Sequence, residues 1–103
     1  MNDEAHRRAT QRVPFNEELR FVRPPGVVGQ GVDIGAGGVG VNLPVRLPPE
    51  TQVEMEIFGG AATAYGTVRW VKEEEGHYRT GIQFREDDWA IMELVQSLRD
   101  QER

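Results

Sequence analysis

The chain has 103 residues, of which 38% are hydrophobic and 28% are charged, as expected for one globular domain with a modest core. It contains no cysteine, which excludes disulfides, thiolate metal sites and cysteine nucleophiles. Its net charge of −5 argues against binding to long nucleic acid, which needs a broad basic surface. A small anionic ligand is still compatible, because residues 5–12 contain three arginines and no acid.

The hydropathy of the chain gives no sign of a membrane segment. No apolar run approaches the roughly 20 residues that a helix needs to cross a bilayer. Residues 1–12 are polar and charged, unlike a secretory signal. We therefore expect a cytoplasmic protein that does not insert into a membrane.

The first half of the chain predicts an arm followed by three strands. Residues 1–12 have no apolar periodicity, which is typical of a flexible arm. Residues 13–22 predict a strand that ends in a Pro-Pro-Gly turn. Residues 27–34 and 39–43 predict two further strands, joined by a glycine-dense link at residues 35–38.

The second half predicts three more strands and a helix. Residues 53–58 alternate between apolar and acidic side chains until Phe58, the pattern of a strand with one buried face. The segments at 62–71 and 77–85 predict strands that place Trp70 and Phe84 in the core or against the helix, with a charged hairpin loop at 72–76. Apolar residues then recur at three- and four-residue steps, which predicts an amphipathic helix at about residues 87–100. Short strands at this spacing predict a mostly β fold, a small barrel over residues 13–103 that carries the helix at its end.

Two stretches of the sequence suggest a binding site. The first supplies three guanidinium groups, from Arg7, Arg8 and Arg12, which suit phosphates and the O6/N7 edge of guanine. The second, at residues 33–38, supplies the carboxylate of Asp33, a pure acceptor for guanine N–H groups, on a backbone rich in glycine. Together they predict a site for a guanine nucleotide with more than one phosphate.

Each stretch also has a plainer interpretation. The arginines would form a solvated basic arm, Asp33 a turn residue bonded to its own backbone, and the glycines a bulged hairpin. The glycines are not followed by Gly-Lys-Ser/Thr and do not open a helix, so neither a Walker loop nor a Rossmann fingerprint is present. The sequence shows no Ser–His–Asp set, metal-ligand cluster or cofactor motif, and we expect a protein that is not an enzyme and has no metal or cofactor.

The combined pattern resembles the PilZ domain, a bacterial receptor domain for cyclic di-GMP. Arg8 and Arg12 match its R-x-x-x-R element, and Asp33 and Gly38 match its D-x-S-x-x-G element. The resemblance also includes the proline-rich link at 43–49, Val68-Arg69-Trp70 and Gly81-Ile82-Gln83-Phe84, and so covers about residues 7–98. It implies a six-stranded antiparallel β-barrel with a C-terminal helix. One position departs from the pattern, because Gly35 stands where the family has serine.

The resemblance also implies a mechanism. Arg8 and Arg12 would grip guanine edges and phosphates, while Arg7 would stack on a second guanine or pair with a second ligand. Asp33 would accept hydrogen bonds from guanine N1–H and N2–H₂, and Gly38 would keep the loop unobstructed. The arm would become ordered around cyclic di-GMP and so signal to an effector protein.

Two other functions remain open at this stage. Gly35 and the acidic C-terminal segment allow a PilZ-like adaptor that contacts proteins and does not bind cyclic di-GMP. An oligonucleotide-binding β-barrel is a weaker alternative, which the net charge of −5 disfavours.

Overall fold

The fold is built from antiparallel strands and one short helical turn. A computed structural model describes residues 12–35, 37–85, 93 and 97. Within them lie seven strands and a 3₁₀ turn, namely β1 (Arg12–Pro14), β2 (Glu18–Arg23), β3 (Val28–Gly35), β4 (Gly38–Leu43), β5 (Gln52–Ile57), the 3₁₀ turn (Phe58–Gly60), β6 (Ala62–Glu74) and β7 (His77–Phe84).

Six of the strands close into a barrel because β3 pairs with β2 along one edge and with β4 along the other. The circuit runs β3, β2, β5, β6, β7, β4 and back to β3, with every pair antiparallel. The remaining strand, β1, pairs with the C-terminal end of β3. The predicted six-stranded antiparallel barrel is therefore confirmed, with one additional strand.

A single core fills the barrel, and the two-residue period of the strands decides which side chains enter it. In β5, Val53, Met55 and Ile57 are at most 4% exposed, while the residues between them are partly or fully exposed. Phe84 is also buried, as predicted. Each fully buried Val, Leu, Ile, Met or Phe side chain contributes about 1.5–3 kcal/mol, so the core is the main stabilising element.

The segment predicted as one strand at residues 13–22 forms two strands, β1 and β2. Pro14 pairs with Asp33 and Glu18 pairs with Gln30. Between these two pairs the chain advances four residues on the side of β1 and β2 but only three on β3. A continuous regular strand cannot absorb the extra residue. The regular strand stops at residues 15–17, although Phe15 N–H still donates to Val32 and Glu17 still accepts from Gly31 on β3, and Phe15 turns into the core, where it is 1% exposed.

The loop predicted at residues 72–76 is shorter than expected. Strand β6 continues through Glu74, which pairs with His77, and only Glu75 and Gly76 form the turn. Gly76 has a φ of 80°, a conformation that glycine adopts without strain. The charged residues of this segment indicated exposure correctly, but exposure does not prevent a strand from pairing with its neighbour.

Two predictions fall mainly on residues that the structure does not describe. The arm at residues 1–12 lies outside the described residues except for Arg12, which is the first residue of β1. Of the C-terminal helix at about 87–100, the structure describes only Glu93 and Ser97. Both have helical backbone, but two isolated positions do not establish the helix, which stays a prediction. Within the described part of the chain, no helix has the length and apolar character needed to cross a membrane.

Candidate functional site

A β-bulge in β3 places Asp33 on the outer face of the barrel. Gly31 pairs with Val41 and Asp33 pairs with Gly40, so Val32 is an extra residue on β3. Side chains alternate between faces along a regular strand, and without the bulge Asp33 would share the inner face with Gly31. The side chain of Asp33 is instead 31% exposed.

A second bulge, in β6, turns Trp70 outward in the same way. Val68 pairs with Ile82 and Trp70 pairs with Gly81, which leaves Arg69 as the extra residue. Val68 is fully buried, and strict alternation would place Trp70 beside it in the core. Trp70 is 47% exposed, so of its two predicted places the buried core is wrong, and packing against the helix stays a prediction.

Asp33 and Trp70 lie in one row of residues that crosses four strands, with Gly40 of β4 and Gly81 of β7 between them. A Cβ atom on Gly40 would lie 2.6 Å from Oδ1 of Asp33, and one on Gly81 would collide with the indole ring of Trp70. The absence of a side chain at the two glycines therefore lets Asp33 pack against the backbone of β4 and Trp70 against the backbone of β7. That backbone forms the floor of a groove.

Strand β1 brings Arg12 beside Asp33. Arg12 pairs with Gly35 across the end of β3, and its Nε and Nη2 donate to Oδ1 of Asp33 at 3.1 and 2.9 Å. The two side chains are 40% and 31% exposed, so the ion pair stabilises the fold by about 1 kcal/mol at most. Its main effect is to fix a donor and an acceptor side by side.

Two further guanidinium groups lie at the groove. Nη2 of Arg79, on β7, is 3.8 Å from Oδ2 of Asp33. Arg69 donates from Nε to Oε1 of Gln83 at 2.6 Å and from Nη1 to both carboxylate oxygens of Glu50 at 3.1 and 3.0 Å. These contacts fix the plane of the Arg69 guanidinium.

The groove has a volume of about 420 Å³, which falls in the usual range of small-molecule sites. Its walls combine cations, a carboxylate, an amide and an aromatic face, supplied by Arg12, Arg69, Arg79, Asp33, Gln83 and Trp70. Such a set can bind a planar, anionic ligand that also has N–H donors.

A second hollow, of about 540 Å³, is lined by three acids, which are Glu17, Glu18 and Glu56, and by a single cation, Arg20. Its negative charge makes it a poor site for an anion, although it is the larger of the two.

We compared the chain with models of known protein families. The model of the PilZ domain matches residues 6–99, nearly the whole chain. The chain belongs to the PilZ family. A search of curated proteins gave no match. PilZ domains bind cyclic di-GMP and act as adaptors rather than as enzymes, and the resemblance drawn from the sequence is confirmed.

The structure brings together some of the predicted site residues of this PilZ domain and leaves others undescribed. Arg12, Asp33 and Gly38 line the groove. Gly35 pairs with Arg12 and Gly38 and is buried, but it is not part of the groove lining. Arg7 and Arg8 lie outside the described residues, so their part in the site stays a prediction.

The structure adds a packing role to the one predicted for Gly38. Gly38 is the first residue of β4, and a Cβ atom there would collide with the carbonyl oxygen of Ile82 on β7. Its lack of a side chain is therefore needed for the close approach of two strands, and not only for an open loop.

Sequence reasoning missed four polar or aromatic residues of the groove walls, namely Arg69, Trp70, Arg79 and Gln83. A signal for Trp70 was present, because Val71 follows it and two adjacent apolar residues interrupt the two-residue period, as a bulge does. The two arginines had no such signal, since charged residues are ordinary on the outer face of a strand.

Proposed function

We propose that this PilZ domain is a receptor for cyclic di-GMP that couples binding of the ligand to an effector protein. The observation that carries the proposal is the contact of Arg12 with Asp33 at the rim of a groove that also contains an exposed tryptophan. These are the donor, acceptor and stacking groups that a guanine nucleotide requires.

Asp33 is the group that distinguishes guanine from adenine in this proposal. Its carboxylate accepts hydrogen bonds from N1–H and N2–H₂ of one guanine, which adenine cannot reproduce at the same atoms. Arg12, held within hydrogen-bonding distance of Asp33, donates to a phosphate oxygen or to the O6/N7 edge. Arg7 and Arg8 act from the preceding segment, as the family pattern implies.

Trp70 adds a stacking surface on the opposite wall of the groove. Its indole ring lies against the backbone of Gly81, which supports the ring from below and leaves its other face available to a base. Stacking of a nucleobase on an aromatic side chain contributes about 1–3 kcal/mol. A dinucleotide whose two bases engage Asp33 and Trp70 separately therefore binds more tightly than a mononucleotide.

The absence of the family's serine is compatible with binding. One neutral hydrogen bond contributes about 1 kcal/mol, so its loss weakens binding about fivefold. The guanidinium and carboxylate contacts, as charge-assisted hydrogen bonds, contribute about 1.5–3 kcal/mol each. The charged residues thus contribute more to the free energy of binding than the hydroxyl that Gly35 lacks.

Calorimetric titration of the full chain with cyclic di-GMP tests the proposal. We expect Arg12→Gln to weaken binding by roughly tenfold to 150-fold, because a charge-assisted hydrogen bond is lost. Arg20→Gln is the matched control, since Arg20 lies at the acidic hollow and is 70% exposed. Absence of binding by the parent at high micromolar ligand would contradict the proposal. Equal affinities for all three proteins would mean that cyclic di-GMP binds elsewhere.

A PilZ adaptor that does not bind cyclic di-GMP is the second candidate. It is favoured by the fact that Arg12 and Asp33 already satisfy each other, and by the missing hydroxyl at Gly35. Its effector would be recognised equally with and without cyclic di-GMP, whereas the receptor's effector would be recognised differently in the two states. Capture of an effector by the parent protein with and without the ligand separates the two functions.

A further inference from the structure

The side-chain amide of Gln83 lies at the groove, close to the ring of Trp70. Gln83 is exposed and lines the groove. On β7 it follows two residues after Gly81, against which Trp70 packs, and Ile82 between them is buried in the core. Because side chains alternate along a strand, Gly81 and Gln83 share the outer face, with Cα atoms about 7 Å apart. A base that stacks on the indole can therefore present one of its edges to the amide of Gln83.

The contact with Arg69 decides which end of this amide is free. Nε of Arg69 donates to the amide of Gln83 at 2.6 Å. A guanidinium has donors only, so the atom that accepts is the oxygen, Oε1, and the orientation of the amide is thereby fixed. The nitrogen, Nε2, donates to no residue in the part of the chain that the structure describes. The free hydrogen-bonding end of the amide is thus its N–H₂ group.

Arg69 is itself held, so the amide cannot simply turn over. Nη1 of Arg69 donates to both carboxylate oxygens of Glu50, at 3.1 and 3.0 Å. The backbone N–H of Glu50 in turn donates to the carbonyl oxygen of Val68 on β6, at 2.7 Å. If the amide of Gln83 turned over, its N–H₂ group would face the N–H of Arg69. Such a turn would lose a hydrogen bond and place two donors against each other.

An amide that offers only donors distinguishes the two purine bases. The edge of guanine at O6 and N7 carries two acceptors, whereas adenine carries the N6–H₂ donor in place of O6. The N–H₂ group of Gln83 can donate to the edge of guanine but meets a donor on adenine. This edge differs from the N1–H and N2–H₂ groups that Asp33 accepts in the proposed function, so each base of a dinucleotide can be recognised by its own residue.

We propose that Gln83, oriented by Arg69, selects guanine as the second base of the ligand, which is the base that stacks on Trp70. Gln83 contacts this base, and Arg69 is a positioning residue that acts through Gln83. The inference rests on the proposed function, because it requires a dinucleotide whose bases engage Asp33 and Trp70 separately. It adds a determinant of specificity on β7, outside the N-terminal arginines and residues 33–38.

A purely structural role predicts different behaviour. Gln83, Arg69 and Glu50 would then form a chain of contacts that only braces the loop preceding β5. Replacing Gln83 would in that case change the free energy of unfolding, but it would leave the relative affinities for different dinucleotides unchanged. A contact with the base predicts the opposite, because it affects the choice between guanine and adenine.

The experiment is a calorimetric titration of the full chain with cyclic di-GMP and with the mixed dinucleotide cyclic GMP–AMP of the same linkage. The mixed ligand keeps one guanine for Asp33 and brings adenine to Trp70. We expect the parent to prefer cyclic di-GMP by about fivefold or more, because adenine replaces a hydrogen bond with two opposed donors. In Gln83→Met, which has no amide, this preference should fall to near unity.

Two further variants serve as the positioning test and the control. Arg69→Met allows the amide of Gln83 to turn over, so it should also reduce the preference, whereas its loss of charge weakens the binding of both dinucleotides alike. Gln52→Met is the matched control. Gln52 lies in the same row of paired residues as Gln83, across Thr67, but it does not line the groove. It should keep the preference of the parent.

The outcomes separate this inference from the proposed function. If the parent does not bind cyclic di-GMP, both are wrong. If the parent binds the two dinucleotides equally, or Gln83→Met keeps the preference of the parent, the receptor function stands and selection by Gln83 is wrong. A preference retained in Arg69→Met would overturn the positioning role alone.

Melting curves identify a variant that has lost its fold, and in that event Gln83→Glu decides. Its carboxylate still accepts from Arg69 but offers only acceptors to a ligand. The preference should therefore shift towards the mixed dinucleotide, and an unchanged preference would overturn the inference.

Discussion

Arg12 and Asp33 are 21 positions apart in the chain, yet two nitrogen atoms of the arginine donate to the same oxygen of the aspartate. The other oxygen, Oδ2, lies 3.8 Å from Nη2 of Arg79, which is beyond hydrogen-bonding distance. Because this exposed pair is worth about 1 kcal/mol at most, a ligand that displaces it loses no more than about fivefold in affinity. The contact therefore preorganises the site without closing it.

Asp33→Asn is expected to reduce the discrimination between guanine and adenine. Asparagine presents an N–H₂ group where guanine also presents donors, so affinity for cyclic di-GMP falls about tenfold or more, while affinity for cyclic di-AMP changes little. Thermal stability changes by about 1 kcal/mol at most, because the ion pair is exposed. Calorimetry with both dinucleotides measures the effect, with Glu18→Gln as the control. An unchanged ratio of the two affinities would show that Asp33 does not contact the base.

Replacing Trp70 is expected to affect binding far more than folding. Trp70→Ala removes a stacking surface worth about 1–3 kcal/mol, whereas Trp70→Phe keeps an aromatic face and most of the affinity. The side chain is 47% exposed, so we expect only a small decrease in the free energy of unfolding. Titration and urea denaturation of both variants test this. Full affinity in Trp70→Ala would exclude stacking on the indole.

Gly81→Ala is expected to displace the indole ring of Trp70. The added Cβ would collide with the ring, and crowding of this kind costs about 1–3 kcal/mol. In a Trp89→Phe background, Trp70 is the sole tryptophan and its fluorescence emission reports the displacement. Gly37→Ala is the matched control for emission and stability, because a Cβ there meets nothing within 4 Å. Identical emission from the two alanine variants would contradict the observed packing.

Met55→Ala tests the assignment of stability to the barrel core. Met55 is fully buried, and its truncation should lower the free energy of unfolding by about 2–5 kcal/mol. Val45, which is 43% exposed, provides the comparison, because Val45→Ala should change stability little. Urea denaturation measures both. A small effect at Met55 would mean that the core is less tightly packed than it appears in the fold.

Much of the barrel could be predicted from the sequence because its strands have a clear period and clear turn residues. The alternation in β5 and the glycine-dense link between β3 and β4 placed those strands within one or two residues of their observed bounds. The pairing of Arg12 with Asp33 depends on β1 lying along the end of β3, and periodicity gives no information on that placement. Their proximity was expected instead from the complementary chemistry of the two stretches and from the resemblance to a family.

The failure to predict the outward row of the groove has its physical origin in the two β-bulges. An extra residue reverses the direction of every side chain beyond it, so a period-two pattern assigns the wrong face after the bulge. The core was consequently one of the two places predicted for Trp70, and the outward row from Asp33 to Trp70 was not anticipated. Arg79 was missed because Asp33, which it faces, lies on β3, two strands away across β4, and such proximity cannot be derived from local sequence.

The most direct test of the receptor function is the change in backbone amide chemical shifts of the full chain when cyclic di-GMP is added. The account predicts that the largest changes fall on Asp33, Gly38, Trp70 and Gly81 around the groove, with little change at Glu56 beside the acidic hollow. Unchanged spectra at saturating ligand, or changes centred on the acidic hollow, would contradict it.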